Sequence, residues 1–242
     1  MDLWGRIYLD HWHGDPHPHR FIRDDDKSDT IPDAAGYFVS PRDVGEIAVL
    51  GRLTGRVLDL GAGAGSYARF LEDRGVVVTA IDSSPGAVAV CRERGCRDAR
   101  VADMDALPPD LVPFDSIICM GNTLGIGQGP GKLPRRLRAL RSLIRPGGRL
   151  LAAIRDPLST TDPEHLAYHA RNRALGRPPG LVRTRLSYRG AMGPWWDLWM
   201  PTEAELDQAA RAAGWVARCL DSKRSNRLYE LTAPPGEASR CS

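Results

Sequence analysis

No apolar run in these 242 residues approaches the roughly 18 that a membrane-crossing helix needs. The charged N-terminal stretch also lacks the apolar centre of a secretory leader, so a soluble protein of the cytoplasm is expected. Cysteine is scarce. Of the five, Cys91 and Cys96 stand too far apart for a Cys-x-x-Cys motif and Cys119 falls in an apolar strand, which argues against a disulfide framework or a zinc site. Lysine is nearly missing, found only at 27, 132 and 223, so the net charge of +3 comes from arginine. The densest arginine run, at 135, 136, 138, 141, 145 and 149, surrounds a helical stripe of Leu133, Leu137, Leu140 and Ile144. That pattern reads as a solvated helix face opposite an apolar one. Without interleaved aromatics it is a poor footprint for nucleic acid.

At 42% hydrophobic and 26% charged, the chain has enough apolar material for one sizeable core. Its most informative stretch is 56–65, Arg-Val-Leu-Asp-Leu-Gly-Ala-Gly-Ala-Gly. An apolar strand ends at Asp59, three glycines follow at Gly61, Gly63 and Gly65, and a helix opens at Ser66. Only a backbone without Cβ atoms turns so tightly and lets a ligand lie against its amides. A dinucleotide fingerprint would put its third glycine at 66, where serine stands. The spacing Asp59-x-Gly61-x-Gly63-x-Gly65 instead resembles motif I of the class I S-adenosylmethionine (SAM)-dependent methyltransferases.

Further segments follow in the order of that family. Val76 to Ile81 is a β-branched run suited to a parallel strand, and it ends in Asp82, 17 positions after Gly65, where a carboxylate can bind both ribose hydroxyls, with Ser83 beside it. Ala99 to Ala102 leads into Asp103-Met104, where similar methyltransferases hold the adenine. Phe114 to Met120 empties into Gly121-Asn122, and a turn Arg145-Pro146-Gly147-Gly148 precedes the strand Arg149 to Ile154. The resemblance covers about two-thirds of the chain. It implies an α/β fold with a doubly wound, seven-stranded, mostly parallel sheet, an antiparallel pair at one edge, an inserted cap and an N-terminal lid. It also implies that Asp59 supports the loop or the methionyl ammonium, that Met120 and Gly121 flank the methionine part, and that Tyr37 or Phe38 belongs to the lid. Asn122 has two readings: an amide acceptor for an amine substrate, or a residue that tolerates a left-handed turn beside Gly121.

The expected organisation is a lid segment at 1–43, a SAM-binding core at 44–155, a cap at 156–200, the rest of the core at 201–235 and a tail at 236–242. The stretch from His11 to His19, interrupted by Pro16 and Pro18, reads as a solvated loop rather than a metal site. Gly75 and Gly95 read as helix C-terminal caps, Ser84-Pro85 as a helix start, and Thr202-x-x-Glu205 as a capping box. In the cap, Asp162-Pro163 opens a helix that sets His165, Tyr168, His169 and Asn172 on one face. Leu181 to Arg189 and Trp195 to Trp199 read as a hairpin turned at 190–194.

Methyl transfer requires alignment, exclusion of water and, where the nucleophile carries a proton, a base. His165 and His169 are the candidate bases, with Asn122 as a third catalytic candidate. Tyr168, Arg185, Trp195 and Trp196 are candidates for holding the substrate, the tryptophans as a wall for a planar or cationic group. The expected function is methyl transfer to a nitrogen or oxygen atom of a small molecule in specialised metabolism, with S-adenosyl-L-homocysteine (SAH) as the second product and no metal, membrane or nucleic acid involved. The alternatives are an RNA or tRNA methyltransferase and a SAM-binding protein without activity.

Overall fold

The computed structural model describes residues 1–39, 41, 44–221 and 225–233; position 43, Lys223, Cys241 and the tail expected at 236–242 lie outside them. In chain order the elements are α1 (Leu3–Trp12), β1 (His19–Arg23), β2 (Ser28–Ile31), α2 (Val44–Leu50), β3 (Arg56–Leu60), α3 (Ser66–Glu72), β4 (Val77–Asp82), α4 (Pro85–Glu93), β5 (Ala99–Val101) and β6 (Phe114–Cys119). Then follow α5 (Leu133–Arg141), β7 (Ile144–Arg155), α6 (Pro163–Ala174), β8 (Leu181–Tyr188), β9 (Ala191–Met192), β10 (Trp196–Trp199), α7 (Glu203–Arg211), β11 (Val216–Asp221) and β12 (Asn226–Thr232). They form two compact units, Met1–Ile118 with Thr184–Trp195, and Cys119–Arg183 with Trp196–Ser242.

In the first unit β3 pairs in parallel with both β4 and β6, and β4 with β5. Val57 and Leu58 of β3 and Ile117 of β6 are fully buried, as both-face burial of a parallel strand requires. Ser84 caps α4 by accepting from the Ala87 amide at 3.0 Å, with Pro85 at its first position, and Gly75 and Gly95 take left-handed φ angles of +80° and +89° after the helices they end.

The expected solvated loop holds for the exposed residues 13–16 and 18, but both ends of the histidine stretch depart from it. His11 lies within α1 and His19 begins β1, fully buried. The reason is a long-range pairing: β1 runs antiparallel to β2 on one side and to β8 on the other, with His19 opposite Tyr188, Phe21 opposite Leu186 and Arg23 opposite Thr184. Period-two alternation then turns His19, Phe21 and Arg23 to one face. The expected hairpin is present with an added step: Arg189 and Gly190, at φ +46° and +78°, turn the chain into the two-residue β9, which pairs with β8, and the tryptophan strand β10 lies beside β8 in the sheet.

In the second unit β12 lies antiparallel to β7 and to β11, with Leu150 and Leu231 paired and fully buried. Thr202 and Glu205 form the expected capping box on α7. Two expectations are corrected. The turn at 145–148 is absorbed into β7, with Gly147 at φ +81°, and pairing with β12 begins at Arg149. Arg136 does not lie on the solvated face of α5: it is 4% exposed and its Nη1 donates to the Leu124 and Ile126 carbonyls at 2.9 Å each. A long side chain on the stripe's border can bury its stem and still deliver its charge to backbone oxygens.

Within the first unit, α1 and α4 cross at glycines: a Cβ on Gly86 would stand 2.6 Å from the Gly5 Cα. Gly86→Ala must therefore push the helices apart. The expected result is a loss of about 1–3 kcal/mol, read as a Tm lower by about 2–10 °C, with faster amide exchange confined to α1 and its contacts.

Candidate functional site

The loop after β3 is built from local geometry. Gly61, Gly63 and Gly65 all have positive φ, at +69°, +54° and +76°, and the Gly61 and Ala62 amides donate to the Ile81 carbonyl at 2.8 and 3.0 Å. Asp82, at the end of β4, ties this loop to the next helix: Oδ2 accepts from the Gly63 amide and Oδ1 from the Ser84 amide, both at 2.9 Å. Exposed Ser83 adds its amide to the same carboxylate. The Ala102 amide donates to the Asp82 carbonyl at 3.0 Å, which brings Asp103 and Met104 to the same strand end. Asp103 is exposed and its Oδ1 accepts from the Asp105 amide at 2.8 Å; Met104 is half-buried.

Asp59 lies beneath the loop, 1% exposed, with Oδ2 lacking any hydrogen-bond partner. Burial, then the neighbouring Asp82 charge, push its pKa up to about 7, against a hydrogen bond from the Ala68 amide. Asp82 is also pushed above the usual carboxylate range, first by burial, with Asp2 adding to the effect and the loop amides opposing it. Two neighbouring carboxylates, Asp59 buried and Asp82 half-buried, each held above the usual range with a second carboxylate contributing, make this a site for positive charge.

The N-terminal segment closes over the loop. The Ser66 hydroxyl donates to the Tyr37 carbonyl at 2.7 Å, and Arg94 donates to the carbonyls of Ala64 and Phe38 with its guanidinium 4.9 Å from the Phe38 ring centre. The Tyr37 ring is half-buried and burial pushes its hydroxyl up to about 12. Four contributors to the loop, Tyr8, Arg94, Cys91 and Cys96, were not among the site residues expected from the sequence. Tyr8, 7% exposed on α1, sets its hydroxyl 3.3 Å from where a Gly63 Cβ would be, and a Gly65 Cβ would meet the Cys91 and Cys96 sulfurs at 2.5 and 2.7 Å. The signal for Tyr8 was present: Trp4, Tyr8 and Trp12 recur every four residues, as one face of a helix does. Nothing local marks Arg94 or the cysteines.

Of the predicted substrate residues, the first unit holds Arg185 and Trp195, the guanidinium 4.5 Å from the indole centre. The remaining predicted residues belong to the second unit. Met120 is buried and its carbonyl accepts from the Thr123 hydroxyl at 2.6 Å. Gly121 and Asn122 are both left-handed, at φ +63° and +65°, and the Asn122 Oδ1 accepts from the Arg155 amide at 2.6 Å, so its amide oxygen is engaged in holding the turn. On α6, Tyr168 and His169 are buried and His165 is half-buried, its Nδ1 3.3 Å from the Thr160 hydroxyl. The Tyr168 hydroxyl accepts from the Arg183 amide and Asn172 donates to the Pro179 and Leu181 carbonyls, so this face fastens the following chain. Trp196 is half-buried and Trp199 is 2% exposed. No group of three or more potential ligands suited to a metal ion occurs among the described residues, and none of their helices is long and apolar enough to cross a membrane.

Residues 57–148 match the family model described as Methyltransferase domain. A SAM-dependent methyltransferase from Bacteroides fragilis, solved with S-adenosyl-L-homocysteine, superposes with a TM-score of 0.82 at 27% identity, covering 96% of this chain and 94% of that one. The ubiquinone biosynthesis O-methyltransferase of Xylella fastidiosa is 35% identical over 104 residues, 40% of this chain and 41% of that protein. The malonyl-[acyl-carrier protein] O-methyltransferase of Salmonella typhimurium is 37% identical over 106 residues, 42% of this chain and 41% of that protein. The matched part thus spans about two-fifths of these curated relatives. The chain carries the Rossmann-like α/β fold with a mixed seven-stranded sheet. Residues 57–148 thus match the methyltransferase domain, and over nearly its whole length the chain shares the fold of a SAM-dependent methyltransferase.

Asp59 gives the free protein a pH dependence of definite sign. With the folded pKa near 7 and the usual value at 3.8, the folded state holds a proton that the unfolded chain releases. That contribution is complete below about pH 3.8 and lost as pH rises to about 7. Asp59→Asn should remove the loss, so that the variant's stability relative to wild type rises by a few kcal/mol, in order of magnitude, between pH 4 and 7.5. Denaturant melts across that range check it; a difference that stays constant with pH would refute the assignment.

Proposed function

We propose that the chain binds SAM and directs its methyl group to an oxygen or nitrogen atom of a small molecule in the cytoplasm, in specialised metabolism. The observation that carries this reading is the pair Asp59 and Asp82 at a left-handed glycine loop. These neighbouring carboxylates repel a pyrophosphate and favour a ligand with positive charge. The orphaned Asp59 Oδ2 and the loop's lack of Cβ atoms fit a methionyl ammonium and a backbone-hugging nucleoside. Bound SAM supplies a methyl carbon activated by the adjoining sulfonium.

The chain's own residues then bind, orient and exclude water. Asp82, with Ser83 beside it, takes the ribose hydroxyls; Asp103 and Met104 take the adenine edge and ring; Asp59, Met120 and Gly121 serve the methionine part. Tyr37 covers the loop, its backbone fixed by Ser66. His165 is the more open of the two helix histidines and His169 the more buried, and each is a candidate for the acceptor's proton, with Asn122 as a hydrogen-bonding candidate. Tyr168, Arg185, Trp195 and Trp196 are the proposed acceptor contacts. The short matches to quinone and acyl-carrier O-methyltransferases support a small-molecule or carrier-bound acceptor over nucleic acid.

Three outcomes test the reading. Calorimetry should give micromolar binding of SAM and SAH and none of NAD; the reverse pattern would end the methyltransferase reading. Asp82→Ala should weaken SAH by about 2–3 kcal/mol, because it removes charge-assisted bonds to the ribose and also the tether on Gly63, while the fold survives. If either helix histidine takes the proton, replacing it with asparagine should lower turnover on an identified acceptor by about two to four orders of magnitude with SAH affinity intact. Full turnover in both variants would remove them from the chemistry.

A further inference from the structure

His19 is fully buried, and neither of its ring nitrogens has a hydrogen-bond partner. Leaving a buried imidazole unsatisfied costs stability, and buried polar groups are overwhelmingly paired. Its neighbours are rings rather than polar groups: the centroids of Trp4, Phe21 and Tyr37 lie 6.0, 6.0 and 6.1 Å from its own. All three rings are half-buried, so they form a part-exposed roof over the imidazole. This box adjoins the glycine loop within one unit. Trp4 and Tyr37 are 5.5 Å apart and each lies 5.6 Å from Tyr8, the residue whose hydroxyl faces Gly63.

We propose that His19, with Trp4, Phe21 and Tyr37, is the acceptor subsite, where a planar phenolic acceptor slips among the rings and hands its hydroxyl proton to His19. The inference rests on the methyltransferase reading above, names the substrate class for it, and takes His19 in place of His165 or His169 as the group that receives the proton. A neutral imidazole offers one acceptor and one donor, which matches a hydroxyl better than an ammonium, a donor only. The rings offer stacking and edge contacts to a planar guest. In the proton step the phenol O–H bond breaks, the proton moves to the free ring nitrogen, and the oxygen keeps the electron pair that would form the new O–C bond as the methyl's bond to sulfur breaks and its pair stays on sulfur, leaving SAH. Burial holds the imidazole pKa below its ordinary value, against the pull of the Asp33 carboxylate, so the ring is neutral and ready to accept at pH 7.

The test uses the full chain saturated with SAH and catechol as the probe. Catechol should bind wild type in the SAH complex, and His19→Phe should weaken it at least tenfold while SAH affinity stays within twofold. His19→Phe should melt no lower than wild type in the free protein, because it replaces an unsatisfied polar ring with an apolar one of similar shape. His19→Gln, which keeps hydrogen-bonding capacity, should retain more catechol affinity than His19→Phe. No catechol binding to the SAH complex, equal binding by His19→Phe, or tighter binding of cyclohexylamine than of catechol would overturn the proposal with the methyltransferase reading intact. A lower Tm for His19→Phe with SAH affinity lost, shared by His19→Gln, would assign His19 to packing and also overturn it. Failure of wild type to bind SAH at all would bring down both readings.

Discussion

A relay of hydrogen bonds that starts at Asp82 sets the positions of the glycine loop, the start of α4 and the start of α1 in the first unit. One carboxylate oxygen holds the Gly63 amide and the other the Ser84 amide. Ser84 in turn caps α4 and donates its hydroxyl to Asp2 at 2.9 Å. Asp2 accepts from the Gly86 amide and caps α1 through the Gly5 amide. A change at the end of β4 is thus felt at the start of α1, three hydrogen bonds away, and α1 carries both Trp4 and Tyr8. Because Asp82 raises the cost of ionising Asp59, and Asp2 that of ionising Asp82, the relay also concentrates negative charge where the loop is open to a ligand. A positively charged ligand would relieve that repulsion, which couples occupancy of the loop to the firmness of the N-terminal segment.

The crossing of α1 and α4 explains why the relay tolerates such close approach. Two glycines meet there, Gly5 and Gly86, so backbone rather than side chain sets the spacing and Asp2 can reach Ser84 directly. Arg94, at the far end of α4, performs the matching task by donating to the Phe38 carbonyl. One helix therefore fixes both α1 and the Tyr37 turn, and the aromatic rings between them have few ways to pack.

How much of this was legible in the sequence follows from the range of the contacts. The β3 strand, the glycine loop and the start of α3 announce themselves within ten residues, because strand, turn and helix preferences there are local. The same holds for the Ser84 and Thr202 caps. The burial of His19 was not legible: it depends on β1 pairing with β8, about 165 positions away in sequence, and proline-flanked histidines look like loop from either side. Arg136 misled for another reason. Periodicity assigned it to the polar face, yet helix period says nothing about unpaired carbonyls at 124 and 126 waiting beyond the helix start. Asn122 shows that a site residue can carry two readings at once, since its left-handed backbone and its bond to the Arg155 amide satisfy the structural one without using its Nδ2.

The contrast among the histidines bears most directly on chemistry. His165 has a polar neighbour in the Thr160 hydroxyl, and Asp162, the cap of its own helix, is 4.0 Å away. His13 and His17 are paired with Glu93 and Asp15 at the surface. His19 alone among these combines complete burial with two vacant ring nitrogens, in the unit that holds the glycine loop. Folding gains nothing from that vacancy, since phenylalanine would fill the same aromatic box without an unsatisfied donor and acceptor. A ligand that completes both bonds converts the cost into binding energy and, because the pairing is lost with a donor-only guest, into selectivity for hydroxyl over ammonium.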